Sequence, residues 1–508
     1  MRVEFLGNGS KEEIEKRIQK VATAGRLSRT SGKAFEIYEK GAEFDYEAYL
    51  KAVKKAIENG QDPKEIDPNK YTPYQKNLRY AQRVIDMGHG SIAEHDYILL
   101  TIDDVSPIIE HTLIGSRLAS FTIKSRREVD FRTNGFYVPE FRDKEGNIHP
   151  KNEELKEKYI NHIQYLFDEY GYFADSGMKL EEARYILPYS FNSNIIMGMD
   201  ARSFARLTRY LLYGKVSNIQ EAKQLGEEFL KIIDEKIPYM SKEVRKEPKE
   251  GEDTLEFLDD YKATPDFNNI KVHDKVKLTE YTENADNIIL ASALQQRYQI
   301  SREKALKLVD KCAAEDPEFK EKLMKTIIKN DEHRELEQVT FNFDIPIPLA
   351  VRTHLERHRM HSLLTPDFVP LWDLKNYDVP PTLKKEDKER YDEIFRRNRE
   401  MREYFEKEGV NENDLVYFYQ AANKCNVLTN FNGSSLAWVS RMRCCTKAQN
   451  AIRNIANQMC NEVKKVAPIY GTGLGATCDV FGYCNEGKES CGKILVKKKE
   501  KGNSDNNG

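Results

Sequence analysis

The densest chemistry in this sequence is the run Arg352-Thr-His354-Leu-Glu-Arg357-His358-Arg359-Met-His361. On a continuous helix His354, His358 and His361 fall at i, i+4 and i+7 and share one face. Three histidines on one face suit a metal ion. The arginines between them argue otherwise, because fixed positive charge repels a cation, whereas guanidinium forks pair with phosphate oxygens bidentately. Phe341, Phe343, Ile345, Leu349, Val351 and Leu355 around the run are apolar, which predicts partial burial rather than a solvated basic face. The residue types therefore favour a phosphate-bearing ligand.

Two further segments carry related chemistry. Ser120-Phe-Thr-Ile-Lys-Ser125-Arg126-Arg127 offers a hydroxyl with a guanidinium two residues on, a pairing suited to a phosphate or a base. In Leu180-Glu-Glu-Ala-Arg184-Tyr-Ile-Leu-Pro188, Pro188 stops any preceding helix and fixes Arg184 near a terminus. Either segment alone is weak, since such arginines commonly make surface ion pairs. The cysteines pose a separate question, as all eight lie after residue 311. Cys478, Cys484 and Cys491 sit in a glycine-rich stretch, and with Cys444 or Cys445 they would complete a structural zinc site of four thiolates; free thiols are the alternative. Cys312, Cys425 and Cys460 fall in segments read as helical and are expected to be small core residues.

Positioning these residues requires elements, and the same order of signals occurs twice. His89-Gly-Ser91-Ile-Ala-Glu94-His95 precedes the strand-like run Tyr97–Ile102, and His333–Gln338 precedes Val339–Ile345. Proline follows each run, then a helical pattern leads to Gly115-Ser-Arg117 in one half and Arg357-His-Arg359 in the other. Glu94 to Gly115 is 21 residues and Glu337 to Arg357 is 20, which reads as a diverged duplication. Helical spacing marks Leu155–Ser176, Ala201–Tyr213 and Lys447–Val463. Strands are few, so the expected class is α+β, two homologous modules each with a small sheet packed against helices. The expected divisions are a first module over 1–240, a charged linker over 241–270, a second module over 271–470, a Cys/Gly-rich element over 471–496 and a disordered tail over 497–508. With 39% hydrophobic and 32% charged residues and a net charge of −3, neither general disorder nor global attraction to nucleic acid or membrane is implied. The N-terminal residues lack an apolar targeting core and no run suffices to span a membrane, so a cytoplasmic protein is expected.

Taken together these motifs resemble the flavin-dependent thymidylate synthases, whose signature is Arg-His-Arg, seven residues, Ser, one residue, Arg. The second half keeps Arg357-His358-Arg359 but carries Asp367 and Val369 at the Ser and final Arg positions. The first half keeps Arg117, Ser125 and Arg127. His89, Ser91, Glu94 and His95 match the family's upstream pattern, Glu181 to Pro188 its downstream one, and Arg443 to Arg453 its last. The losses are complementary, so nucleotide-side residues remain in the first half and flavin-side residues in the second.

The resemblance implies FAD reduced by NADPH and a methylene moved from methylenetetrahydrofolate onto dUMP, with no attacking enzyme cysteine. Arg357, His358, Arg359, His89 and Ser91 would contact flavin. Ser125, Arg127, Arg184, Arg443 and His354 would bind dUMP, with Ser125 and Arg443 at the reacting pyrimidine. It also implies a homodimer equivalent to a four-module assembly, with sites to which both halves contribute. The family Glu before the motif Ser is Ile123 here and Thr365 in the other half, and its Gln before Arg-His-Arg is His354. A different pyrimidine nucleotide and a non-catalytic flavin- or nucleotide-binding role therefore stand beside thymidylate synthesis.

Overall fold

The computed structural model describes residues 1–7, 9–246, 274–330, 334–369 and 374–494. Most of the expected linker, His333 and the expected tail over 497–508 lie outside the described residues; the first linker residues, Ser241–Val244, form a helical turn. Two compact units result, one of Met1–Asn268 with Glu389–Tyr419, the other of Asn269–Lys388 with Gln420–Gly508. Among the described residues no helix is long and apolar enough to cross a membrane.

Each unit is built on a four-stranded antiparallel sheet. In the first, β1 (Arg2–Phe5), β2 (Tyr97–Val105), β3 (Ala119–Ile123) and β4 (Ser193–Asp200) lie in the order β1-β2-β4-β3. In the second, β5 (Lys277–Tyr281), β6 (Thr340–Pro348), β7 (Ser362–Leu364) and β8 (Lys424–Asn432) repeat it as β5-β6-β8-β7. The alternation in the sequence explains both central strands, since Ile98, Leu100 and Ile102 on β2 and Phe341, Phe343, Ile345 and Ile347 on β6 are buried. Helices cover these faces, which makes the architecture α+β in two modules.

The one-residue difference in motif spacing has a local cause. Opposite β4, the register of β2 shifts between Ile102 and Val105, whereas β6 pairs with β8 without a shift. A β-bulge therefore places the extra residue in the first half, and Asp104 lies there at φ 58°, a left-handed conformation that Asp tolerates better than most. After the bulge, residue n of the first half corresponds to residue n+242 of the second as far as β3 and β7, as Gly115 with Arg357; across β4 and β8 the offset is 232, because Ile196 lies opposite Thr122 as Leu428 lies opposite Leu364.

The expected cut at the linker does not describe the packing of Glu389–Tyr419. Helix Lys388–Lys407 buries Tyr391, Ile394, Phe395, Asn398 and Phe405. His162, on helix Asn152–Asp175, bonds to Asn398 at 2.9 Å. Arg390 pairs with Glu169 of that helix at 2.7 Å, and Arg142 with buried Asp414 at 2.7 Å. These contacts and the ring cluster Phe141, Tyr159, Phe405 and Phe418 explain why this segment belongs to the first unit.

Candidate functional site

In the first unit, β2 is followed by Ser106, the N-cap of helix Pro107–Ile114. The carboxylate of Glu221 accepts from the Ser106 backbone N–H at 2.7 Å and from its hydroxyl, and from Tyr417 Oη at 3.1 Å. Full burial nonetheless pushes its pKa up to about 7. From the same helix Glu110 holds Arg126 through two bonds of 2.7 and 2.8 Å. Burial alone would raise the Glu110 pKa, but the Arg126 guanidinium and the Ser193 hydroxyl outweigh it and hold it at about 2.

This ion pair fixes the loop after β3. Ser125 Oγ accepts the Arg127 N–H at 3.3 Å, a turn that sets the hydroxyl beside the next guanidinium. Arg127 Nε donates to the Glu181 carboxylate at 2.8 Å, and Arg184 Nε donates to the Glu181 carbonyl at 3.2 Å. The expected helix before Pro188 is short, Leu180–Ala183 followed by a 3-10 turn over Arg184–Ile186, and the side chain of Arg184 is buried. Burial, with Arg126 and Arg127 close by, lowers its pKa to about 10 while leaving it charged. The structure thus brings Ser125, Arg127 and Arg184 together through Glu181, a local excess of positive charge suited to an anion.

In the second unit the corresponding helix, Leu349–Glu356, ends where the Arg-His-Arg run begins. Arg357, His358 and Arg359 therefore lie in the turn before β7, with both arginines exposed. This corrects the expectation of three histidines on one helical face. His354 is on the helix, His358 in the turn, and His361 stacks on Phe431 at 4.3 Å, because the chain must leave the helix to pair Ser362–Leu364 with β8. Arg443, at the end of helix Gly433–Arg443, donates from Nε to His358 Nε2 at 2.9 Å and from Nη2 to the His354 carbonyl at 3.0 Å. Burial first, then Arg443, His361 and Arg357, lowers the His358 pKa to about 3, so its ring is neutral and accepts that bond. Arg357, His358, Arg359, His354 and Arg443 are thus assembled.

His89 caps the turn Gly90–His95 in the first unit, and Arg29 Nη2 donates to its Nε2 at 2.9 Å. Ser91 is exposed in that turn, and Glu94 pairs with Arg202. Arg29 also lines a cavity of about 520 Å³ with Arg26, Thr30, Tyr80, Arg83, Val84 and Met87. Arg26 and Arg83 lie over the Tyr80 ring at 4.5 and 5.4 Å. Sequence reasoning missed Arg26, Arg29 and Arg83; the signal was the three-residue spacing of Arg26 and Arg29 at the end of helix Lys11–Leu27.

The expected zinc site is not assembled. Among the described residues no group of three or more His, Cys, Asp or Glu side chains is placed to hold a metal. Cys444, expected beside Cys478, Cys484 and Cys491, instead has its sulfur 3.7 Å from that of Cys460, because the end of its helix faces helix Asn450–Val466. Cys425, expected in a helix, lies on β8 and is buried.

Comparison with known proteins agrees with this frame. The model of the thymidylate synthase complementing protein family matches residues 14–239 and again 277–469, consistent with a tandem duplication. A flavin-dependent thymidylate synthase of Clostridium tetani is 31% identical over 248 residues, covering 44% of this chain and 96% of that protein. Another from Geobacter sulfurreducens is 30% identical over 125 residues, 24% of this chain and 51% of its own. Among solved structures, the UMP/dUMP methylase PolB from Streptomyces cacaoi bound with 5-Br dUMP matches 48% of this chain and 93% of its own at 17% identity, with a TM-score of 0.35. The chain belongs to the thymidylate synthase complementing protein family, that of the flavin-dependent thymidylate synthases.

Proposed function

We propose that this protein is a cytoplasmic enzyme that methylates dUMP to dTMP, using methylenetetrahydrofolate as carbon donor and FAD reduced by NADPH. The observation that carries this reading is the division of arginines between two frames of one topology. Ser125, Arg127 and buried Arg184 gather in the first unit, and Arg357, Arg359 and Arg443 around neutral His358 in the second. Neither set is complete by itself, so activity needs both.

The residues present fit a flavin dinucleotide. Its diphosphate is a dianion, and the cavity beside His89 is lined by Arg26, Arg29 and Arg83. His89 and Ser91 of the first unit and, separately, the Arg357-His358-Arg359 turn of the second are the proposed flavin contacts, and bound reduced FAD would supply the hydride for the transfer. The chain's own residues bind and orient. Arg127 and Arg184 take the dUMP phosphate, with the Ser125 hydroxyl beside the base. Arg443, positioned by His358 and the His354 carbonyl, would stabilise negative charge on the pyrimidine.

A homodimer is part of the proposal. Corresponding positions in the two halves stay apolar and exposed: Leu118 and Met360 at 68% and 82%, Ile196 and Leu428 at 43% and 50%, Tyr210 and Met442 at 47% and 49%. Exposure of the same positions in two diverged halves points to a surface that a second copy covers.

One substitution favours a second reading. Ile123, where the family carries Glu, is buried at the end of β3, and Thr365 stands at its counterpart, so a pyrimidine nucleotide other than dUMP is the alternative substrate. The visible spectrum of the FAD-loaded protein, titrated with a panel of pyrimidine nucleotides, separates the two. A shift strongest with dUMP, followed by tritium release and rescue of a thymidine-requiring strain, supports thymidylate synthesis. A shift strongest with another nucleotide supports the alternative, and failure to retain flavin removes both.

A further inference from the structure

Behind Arg443 two thiols lie in contact. Cys444 is the C-cap of helix Gly433–Arg443, Cys460 lies within helix Asn450–Val466, and their sulfurs are 3.7 Å apart. Both side chains are buried, at 9% and 3% exposure. A disulfide bond is about 2.05 Å long, so closure requires the sulfurs to approach by less than two ångströms. Cys444 directly follows Arg443, the residue that donates to His358 and to the His354 carbonyl. A shift of Cys444 toward helix Asn450–Val466 is therefore transmitted to the guanidinium one residue away.

We propose that Cys444 and Cys460 are a redox-active dithiol, and that their oxidation to a disulfide displaces Arg443 from His358. Cys460 is the attacking sulfur, because Lys464 lies one turn on along the same helix and a nearby ammonium favours the thiolate. Its thiolate attacks one sulfur of a low-molecular-weight disulfide, breaking that S–S bond and releasing one small thiolate, which takes a proton. The Cys444 thiol, giving up its proton, then displaces the second small thiol from the mixed disulfide. Two protein thiols are oxidised, one small disulfide is reduced to two thiols, and a dithiol reductant reverses the exchange.

The consequence for binding rests on the assignment of Arg443 to dUMP; the crosslink does not. The test uses the full-length protein, reduced and then exposed to oxidised glutathione, with peptide mass mapping and a dUMP titration of bound flavin. The expected result is a Cys444–Cys460 linked peptide with the loss of two hydrogens and about tenfold weaker dUMP binding, restored by dithiothreitol. Cys460→Ser should abolish the link and the redox dependence while binding dUMP as the reduced protein does. Recovery of Cys444 and Cys460 as free thiols, or pairing with Cys445, Cys478, Cys484 or Cys491 instead, overturns the dithiol. A linked peptide with unchanged dUMP affinity overturns the coupling to Arg443. A linked peptide in protein that binds no dUMP in either state upholds the dithiol and counts against the nucleotide reading.

Discussion

The helices that follow β2 and β6 occupy the same place in two sheets of the same order, yet each ties down its site differently. Glu110 corresponds to Arg352, and Arg126 to Phe368. In the first unit these positions meet as a buried two-bond ion pair, 2.7 and 2.8 Å. In the second they meet as a guanidinium 5.0 Å from a ring centroid, while Arg352 pairs with Glu356 on its own helix at 2.9 Å. The contact between helix and post-strand loop has outlasted the chemistry that made it. A duplicated frame can thus keep its geometry while one copy retains the Ser-x-Arg loop and the other the Arg-His-Arg turn.

The largest effect expected from this difference is on stability. Glu110→Gln removes the negative charge from the buried pair with Arg126 and should destabilise the first unit by about 3 kcal/mol. Phe368→Leu removes the cation–π contact with Arg352 and should cost the second about 1 kcal/mol. Chemical unfolding of the full chain, followed by probes in each unit, checks the ranking; equal losses would break the comparison.

The next effect is on pH dependence. The Glu221 pKa is about 7 in the fold against an ordinary 4.5, so the folded state keeps a proton that the unfolded chain releases between those values. Its contribution is full below pH 4.5 and lost as pH rises through 7, a change of up to ~3 kcal/mol. His358 in the second unit has the opposite sign. With a folded pKa of about 3 against 6.5, its contribution is full above pH 6.5 and lost as pH falls toward 3. Stability measured across pH 4–8 should show Glu221→Gln gaining on the parent as pH rises, and His358→Gln gaining as it falls.

Much of this arrangement was legible in the sequence, and the failures have physical causes. Both central strands, expected over Tyr97–Ile102 and Val339–Ile345, were visible from their apolar and β-branched residues, and they extend to Val105 and Pro348. Helix Ala201–Tyr213 falls where its spacing placed it. The gathering of Ser125, Arg127 and Arg184 was expected, but Glu181 as the residue joining them was not, because pairing partners across 54 residues leave no periodic trace. The bulge at Asp104 appeared only as an unexplained one-residue difference. The alliance of Glu389–Tyr419 with the first unit was invisible, since an amphipathic helix declares its buried face but not what covers it. The histidine face and the zinc site failed because spacing was read without the turn at Arg357 or the Cys444–Cys460 contact.

Two smaller effects sharpen the comparison. Arg443→Ala should weaken dUMP binding about tenfold, or ~1.4 kcal/mol, and raise the His358 pKa from about 3 by removing a neighbouring positive charge, as NMR titration of the ring would show. Asp104→Val places a β-branched residue at φ 58° and should cost about 1 kcal/mol, whereas a valine at Asp344, on the bulge-free β6, should cost less. Thermal unfolding of the two variants gives the ranking.

The most direct test of the central division is the visible spectrum of FAD-loaded protein titrated with dUMP, in the parent, in Arg184→Ala and in Arg359→Ala. The account predicts that Arg184→Ala keeps its flavin but loses the dUMP-dependent shift, and that Arg359→Ala loses flavin affinity. A dUMP shift unaltered in Arg184→Ala, or flavin held equally well in Arg359→Ala, would contradict the assignment of the nucleotide phosphate to Arg184 and of flavin to Arg359.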